Sequence, residues 1–128
     1  MDISVHDNRL LSYSVFSDKR EIQIHTAFED ELTDVIFTGV VAYHFEGDNF
    51  KTIIFDIYEV DLEETYNEYE NLFLKLKNYG WIDANYESKD ELIGKMNLQN
   101  IKAYNLHSSF GISGWVWAKN MEIVKSCE

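Results

Sequence analysis

The sequence predicts an α+β fold: a mostly antiparallel sheet of about six strands, arranged as three hairpins, with one long amphipathic helix and one short helix packed on one face. Two observations predict the sheet and a third predicts the helix. Within Thr33–Asp61, apolar and aromatic side chains recur at every second position, the period of a strand with one buried face. Two further alternating stretches, Asn8–Phe28 and Ile101–Ala118, are each interrupted by small or polar turn residues and read as hairpins too. Between them Leu62, Tyr66, Tyr69, Leu72, Phe73, Leu76 and Tyr79 fall at helical spacing, a stripe that needs a partner surface.

In the first hairpin, Leu11, Tyr13 and Val15 alternate with Ser12 and Ser14, and Ile22, Ile24 and Thr26 alternate with Glu21, Gln23 and His25. A turn over Ser17–Arg20 sets Val15 opposite Ile22, Tyr13 opposite Ile24 and Leu11 opposite Thr26. Glu29, Asp30, Glu31 and Asp34 then form an acidic connection into the central stretch. There Val35, Phe37, Gly39, Val41, Tyr43 and Phe45 share a face, continued by Ile53, Phe55 and Ile57 beyond a tight turn at Gly47–Asn49. With Asn49 in the left-handed region, that turn pairs Tyr43 with Ile53 and Val41 with Phe55.

Asp61 stands where a helix cap belongs, with Glu64 at capping-box spacing. Glu63, Glu64 and Glu68 lie early in the helix and Lys75 and Lys77 late, which suits its dipole. Gly80 suits the left-handed residue that ends a helix, and Trp81 is placed to fold back on Leu76. The apolar stripe is expected to lie on the ladder of the central hairpin. Ser88 and Glu91 repeat the capping-box spacing and open the short helix, which carries Leu92, Ile93 and Met96. The last hairpin turns at Ser108–Gly111; beyond it Trp115 and Trp117 share one face, and Ile112, Gly114, Val116 and Ala118 the other.

A chain of 128 residues makes a single α+β domain, 1–128. Apolar residues at 45% suffice for a core without disulfides, and the lone Cys127 has no internal partner. No apolar run approaches the ~18 residues of a membrane span. The N-terminus lacks the basic flank and apolar block of a secretory signal, so the expected location is cytoplasmic. Asp and Glu outnumber Lys and Arg 23 to 11, for a net charge of −12. Such a field repels phosphate backbones and anionic lipid, which disfavours nucleic acid and membranes as partners, and it draws basic proteins.

Chemical motifs are sparse. His6, His25, His44 and His107 show no HxxxH or HExxH spacing, and the acidic runs lack the pattern of a calcium loop, so neither metal nor cofactor is expected. The stretch Ser108–Gly114 lacks the Gly-Lys-Ser/Thr ending of a phosphate loop and is one residue short of a GxSxG elbow. One constellation remains: His44, Asp56 and Tyr58 on the second face of the central hairpin, with His107, as base, orienting carboxylate and hydroxyl donor. In the expected register His44 and Asp56 stand about 13 Å apart, so a solvated or partner-facing sheet surface explains them better than catalysis. The candidate partner surface is Glu29, Asp30, Glu31, Asp34, Glu63, Glu64 and Glu68, joined by Trp115 and Trp117 if the helix covers the opposite face of their strand.

The stretches Val35–Glu59 (VIFTGVVAYHFEGDNFKTIIFDIYE) and Tyr104–Ala118 (YNLHSSFGISGWVWA), with the chain's size and charge, resemble small acidic bacterial immunity-type proteins of toxin-immunity systems. The likeness is one of strand and turn texture over most of the chain. It implies a non-enzymatic inhibitor that neutralises a basic, nuclease-like toxin domain, and it carries over no contact residue. The residues leave two alternatives open: a small enzyme with His44 or His107 in a pocket between helix and sheet, or a structural module that self-associates. The expected state is a monomer or a weak homodimer.

Overall fold

Alternating apolar and polar side chains build one antiparallel sheet of eight strands among the residues that the computed structural model describes, 7–47, 50–77 and 86–125. His6, Asp48, Asn49, Tyr79, Gly80, Trp81 and Cys127 lie outside them. The strands are β1 (Arg9–Phe16), β2 (Glu21–Phe28), β3 (Glu31–Thr38), β4 (Ala42–Glu46), β5 (Ile53–Val60), β6 (Lys102–Phe110), β7 (Ser113–Ala118) and β8 (Asn120–Lys125). Three helices, α1 (Leu62–Glu68), α2 (Glu70–Leu76) and α3 (Lys89–Leu98), lie between β5 and β6 in sequence. The strand order is β4-β7-β6-β5-β1-β2-β3-β8.

The first hairpin forms with Val15 opposite Ile22 and Tyr13 opposite Ile24, and an irregularity at Leu11 brings Leu10 rather than Leu11 opposite Thr26. The central hairpin does not form. β3 runs between β2 and β8, β4 pairs with β7, and β5 pairs with β6 and, at Arg9 and Ile53, with β1. The chain changes neighbours at Gly39, whose φ of 66° is a conformation that glycine adopts at little cost. Just beyond it Val40 N–H donates to the Arg20 carbonyl and Val41 N–H to that of Trp117. Beside this corner β7 passes into β8 through Lys119, whose N–H donates to the Thr38 and Gly39 carbonyls. The two adjacent corners curl the sheet round an apolar interior that includes Ile22, Ile24, Val35, Phe37, Ile54, Leu106 and Val116. β8, absent from the three expected hairpins, adds Met121 and Ile123 to that interior.

The single long helix is also corrected. The run is two seven-residue helices that meet at Tyr69, whose φ of −115° and ψ of 28° leave the helical region. Asp61 occupies the cap position of α1, yet its side chain makes no capping bond; its carbonyl accepts from Glu64 N–H and Thr65 N–H. At α3 the cap does form, with Ser88 Oγ accepting from Glu91 N–H at 3.2 Å and Glu91 Oε1 accepting from Glu87 N–H at 3.2 Å. The architecture is therefore a curled eight-stranded sheet with three short helices, still α+β, and not three hairpins beneath one long rod.

The helices cover the outer face of β4, β7 and β6 rather than a ladder on β3–β5. Leu62, Tyr66, Phe73, Leu92 and Met96 pack on Ala42, Ala103, Trp115 and Trp117 in a second apolar layer. Phe73 lies nearly parallel to Trp115, with ring centroids 5.4 Å apart and planes at 11°.

Candidate functional site

Successive residues of a strand face opposite sides, so β4 sends Tyr43 and Phe45 one way and His44 and Glu46 the other. His44 pairs opposite Trp115, which lies under the helices, so His44 and Glu46 share the helix-covered side of the sheet. The same row continues across β6 and β5 through Asn105, opposite Trp115, and Tyr58, opposite Asn105. Asp56 stands opposite His107.

The junction of α1 and α2 sits above this row. The Tyr69 ring lies 5.5 Å from that of His44 and 5.9 Å from that of Trp115. Its hydroxyl donates to Glu46 Oε1 at 3.3 Å, and His44 Nε2 lies 3.6 Å from Glu46 Oε2. Burial, then the negative charges of Glu46 and Glu68, then the hydrogen bond to Glu46 push the Tyr69 phenol up to about 12. Tyr69 is therefore a neutral hydrogen-bond donor at every ordinary pH.

Two grooves flank this tyrosine. One, of about 370 Å³, is lined by His44, Glu46, Asn67, Glu68, Tyr69, Glu70, Asn71 and Leu72. The other, of about 170 Å³, is lined by Tyr58, Asn105, Leu106, His107, Ser113 and Gly114, and shares Glu68 and Tyr69 with the first. The larger groove offers three carboxylates, an imidazole and an aromatic ring, and its lining includes no lysine or arginine. Such a set suits a guanidinium or ammonium group, which gains from the carboxylates and from an aromatic face.

Of the proposed constellation, Asp56 stands opposite His107 and Tyr58 lines one groove with His107, but His44 stands apart. His44 and Tyr58 are separated by three strand spacings, about 14 Å at ~4.8 Å each. Asp56 Oδ1 accepts from its neighbour's amide, Ile57 N–H, at 2.9 Å. His44 instead meets Glu46 and Tyr69, while His107 lies across from Asp56 and beside the second groove.

The acidic candidates fall on different elements. Glu29 and Asp30 make the exposed turn between β2 and β3, and the Glu29 carbonyl accepts from Arg9 Nη2 at 3.4 Å. Glu31 pairs with Lys125 at 3.1 Å and Asp34 with His25 at 3.0 Å. On α1, Glu63 pairs with Lys89 at 2.8 Å; the hydrogen bond and charge of Lys89 hold its carboxyl below the usual range. Glu64 and Glu68 are exposed, and Glu68 lines both grooves.

Trp115 and Trp117 are 0% exposed, which corrects their expected place on a partner surface: the helices cover the very face they occupy. Glu46, Tyr69 and Glu70 were not among the sequence candidates. Tyr69 reads as a member of the apolar stripe, and nothing local places Glu46 beneath it. Among the described residues no group of three or more His, Cys, Asp or Glu side chains is placed to hold a metal ion. No helix among them is long and apolar enough to cross a membrane. No family model, no curated protein and no solved structure matches this chain.

Proposed function

We propose that the chain is a cytoplasmic, non-enzymatic binding protein of the immunity type, which neutralises a basic, nuclease-like toxin domain through an acidic surface. The observation that carries this reading is the groove beside Tyr69, where Glu46, Glu68 and Glu70 converge from β4 and the helices with no basic residue in the lining. It adjoins Asp61–Glu70, a run with five carboxylates and no lysine or arginine. Together with a net charge of −12, this run favours and speeds encounter with a basic partner. Trp115, Trp117 and Phe73 fill the space between helices and sheet, which counts against a substrate pocket there.

The test is capture from a lysate of the source organism at low and high salt, followed by co-expression of whatever basic protein is retained. The reading expects salt-sensitive capture of a protein that arrests growth by itself and is harmless beside this chain. Capture indifferent to ionic strength, or a captured protein whose effect on growth is unaltered by the chain, overturns it.

A further inference from the structure

β4 stands at one end of the strand order, with β7 as its ladder partner among the described residues. Its five residues include neither lysine nor proline, the usual guards of an edge. β8, at the other end, is bracketed by Lys119 and Lys125. β1 approaches β4 from its open side, with the Tyr13 and Phe45 rings 5.3 Å apart, but the two strands form no ladder. A groove of about 250 Å³ lies at this gap, lined in part by Val15, Phe16, Ile22, Val40 and Tyr43. Val15 and Tyr43 are 39% and 37% exposed there. On the opposite side of β4, His44 and Glu46 open onto the acidic groove with Glu68 and Glu70.

We propose that β4 is a docking edge for an extended segment of the basic partner, one that alternates basic with apolar side chains. A strand added to β4 continues the sheet through main-chain hydrogen bonds, and its side chains point alternately to the two sides. One set then meets Glu46, Glu68 and Glu70, and the other meets Val15 and Tyr43. The charge of the first groove selects lysine or arginine for one parity, and the apolar groove selects aliphatic residues for the other. The proposal rests on the reading of the chain as a binder of basic proteins, and names the contact that such a partner makes.

The test uses the full chain and a short fluorescent peptide alternating lysine with valine. A peptide of the same sequence with every main-chain nitrogen methylated has no donor left for a ladder, and one alternating glutamate with valine carries the wrong charge. The expected result is binding of the lysine-valine peptide at least about tenfold tighter than of either control, with slowed amide exchange in β4 and not in β8. Glu70→Lys, on the exposed face of α2, and the double variant with Glu46→Lys each weaken binding, whereas Glu122→Lys on β8 does not. Equal binding of both lysine peptides, or protection away from β4, overturns the docking edge while leaving charge-driven capture standing. Failure of both peptides to bind, with a basic protein still captured from the lysate, likewise overturns the edge alone; failure of capture as well removes the parent reading.

Discussion

Tyr69 shows how one side chain serves packing and chemistry together. Its ring seals the edge of the Trp115 layer and its hydroxyl reaches Glu46. With the folded phenol near 12 and the unfolded one near its ordinary value of about 10, both states are neutral below about pH 10 and the contribution to stability is intact. Between those values the unfolded chain loses its proton first, so stability falls as pH rises through the window. Titration of tyrosinate absorbance is expected to show a late-ionising phenol that Tyr69→Phe removes, with a shallower alkaline loss of stability in the variant. Burial also raises Tyr66, Tyr86 and Tyr104, so the comparison with the variant, rather than the bare curve, identifies Tyr69. Gly114, by contrast, has a single role. A Cβ there would overlap the His44 carbonyl oxygen, a backbone atom that cannot swing aside. Gly114→Ala is expected to cost about 1–3 kcal/mol in urea denaturation and to speed amide exchange across β4.

At the level of elements, what the sequence reveals depends on how local the contact is. The β1–β2 hairpin is legible because its partners are joined by one short turn at Ser17–Arg20, and Val15 and Ile22 can find each other only one way. β4 is legible as a strand, but neither its neighbour nor its helix-covered side is. Period-two alternation groups Tyr43 with Phe45, yet the helices lie on the side of His44, and it is silent on whether β5 or β7 lies alongside. The break at Tyr69 is hidden for the same reason: Leu62, Tyr66 and Phe73 are all buried, as the stripe requires, whether the axis is straight or bent. The groove therefore escaped the sequence, since it exists only where that bend meets β4. Capping provides a direct contrast. Ser88→Ala removes the bond from Glu91 N–H and is expected to lower stability by about 1 kcal/mol. Asp61→Ala, at a cap whose side chain makes no such bond, is expected to cost less, and the two urea midpoints decide it.

Taken whole, the molecule has two apolar layers that share the sheet between them. β7 serves both, with Val116 and Ala118 turned into the curled interior and Trp115 and Trp117 turned toward the helices. Truncating an indole in the second layer leaves a hole that its neighbours only partly close. Trp117→Ala is expected to cost about 3–5 kcal/mol by chemical denaturation. That is a large share of the ~5–15 kcal/mol by which domains are ordinarily stable. Leu98→Ala, at an exposed position at the end of α3, is expected to stay near wild type in the same measurement. The pairing of β3 with β8 has a consequence for biosynthesis. Thr33 finds its partner in Lys125, so a chain emerging from the ribosome carries β3 with one flank bare until that late segment is made. A translational pause before Asn120 would hold it in that half-zipped state, open to mispairing with other nascent copies.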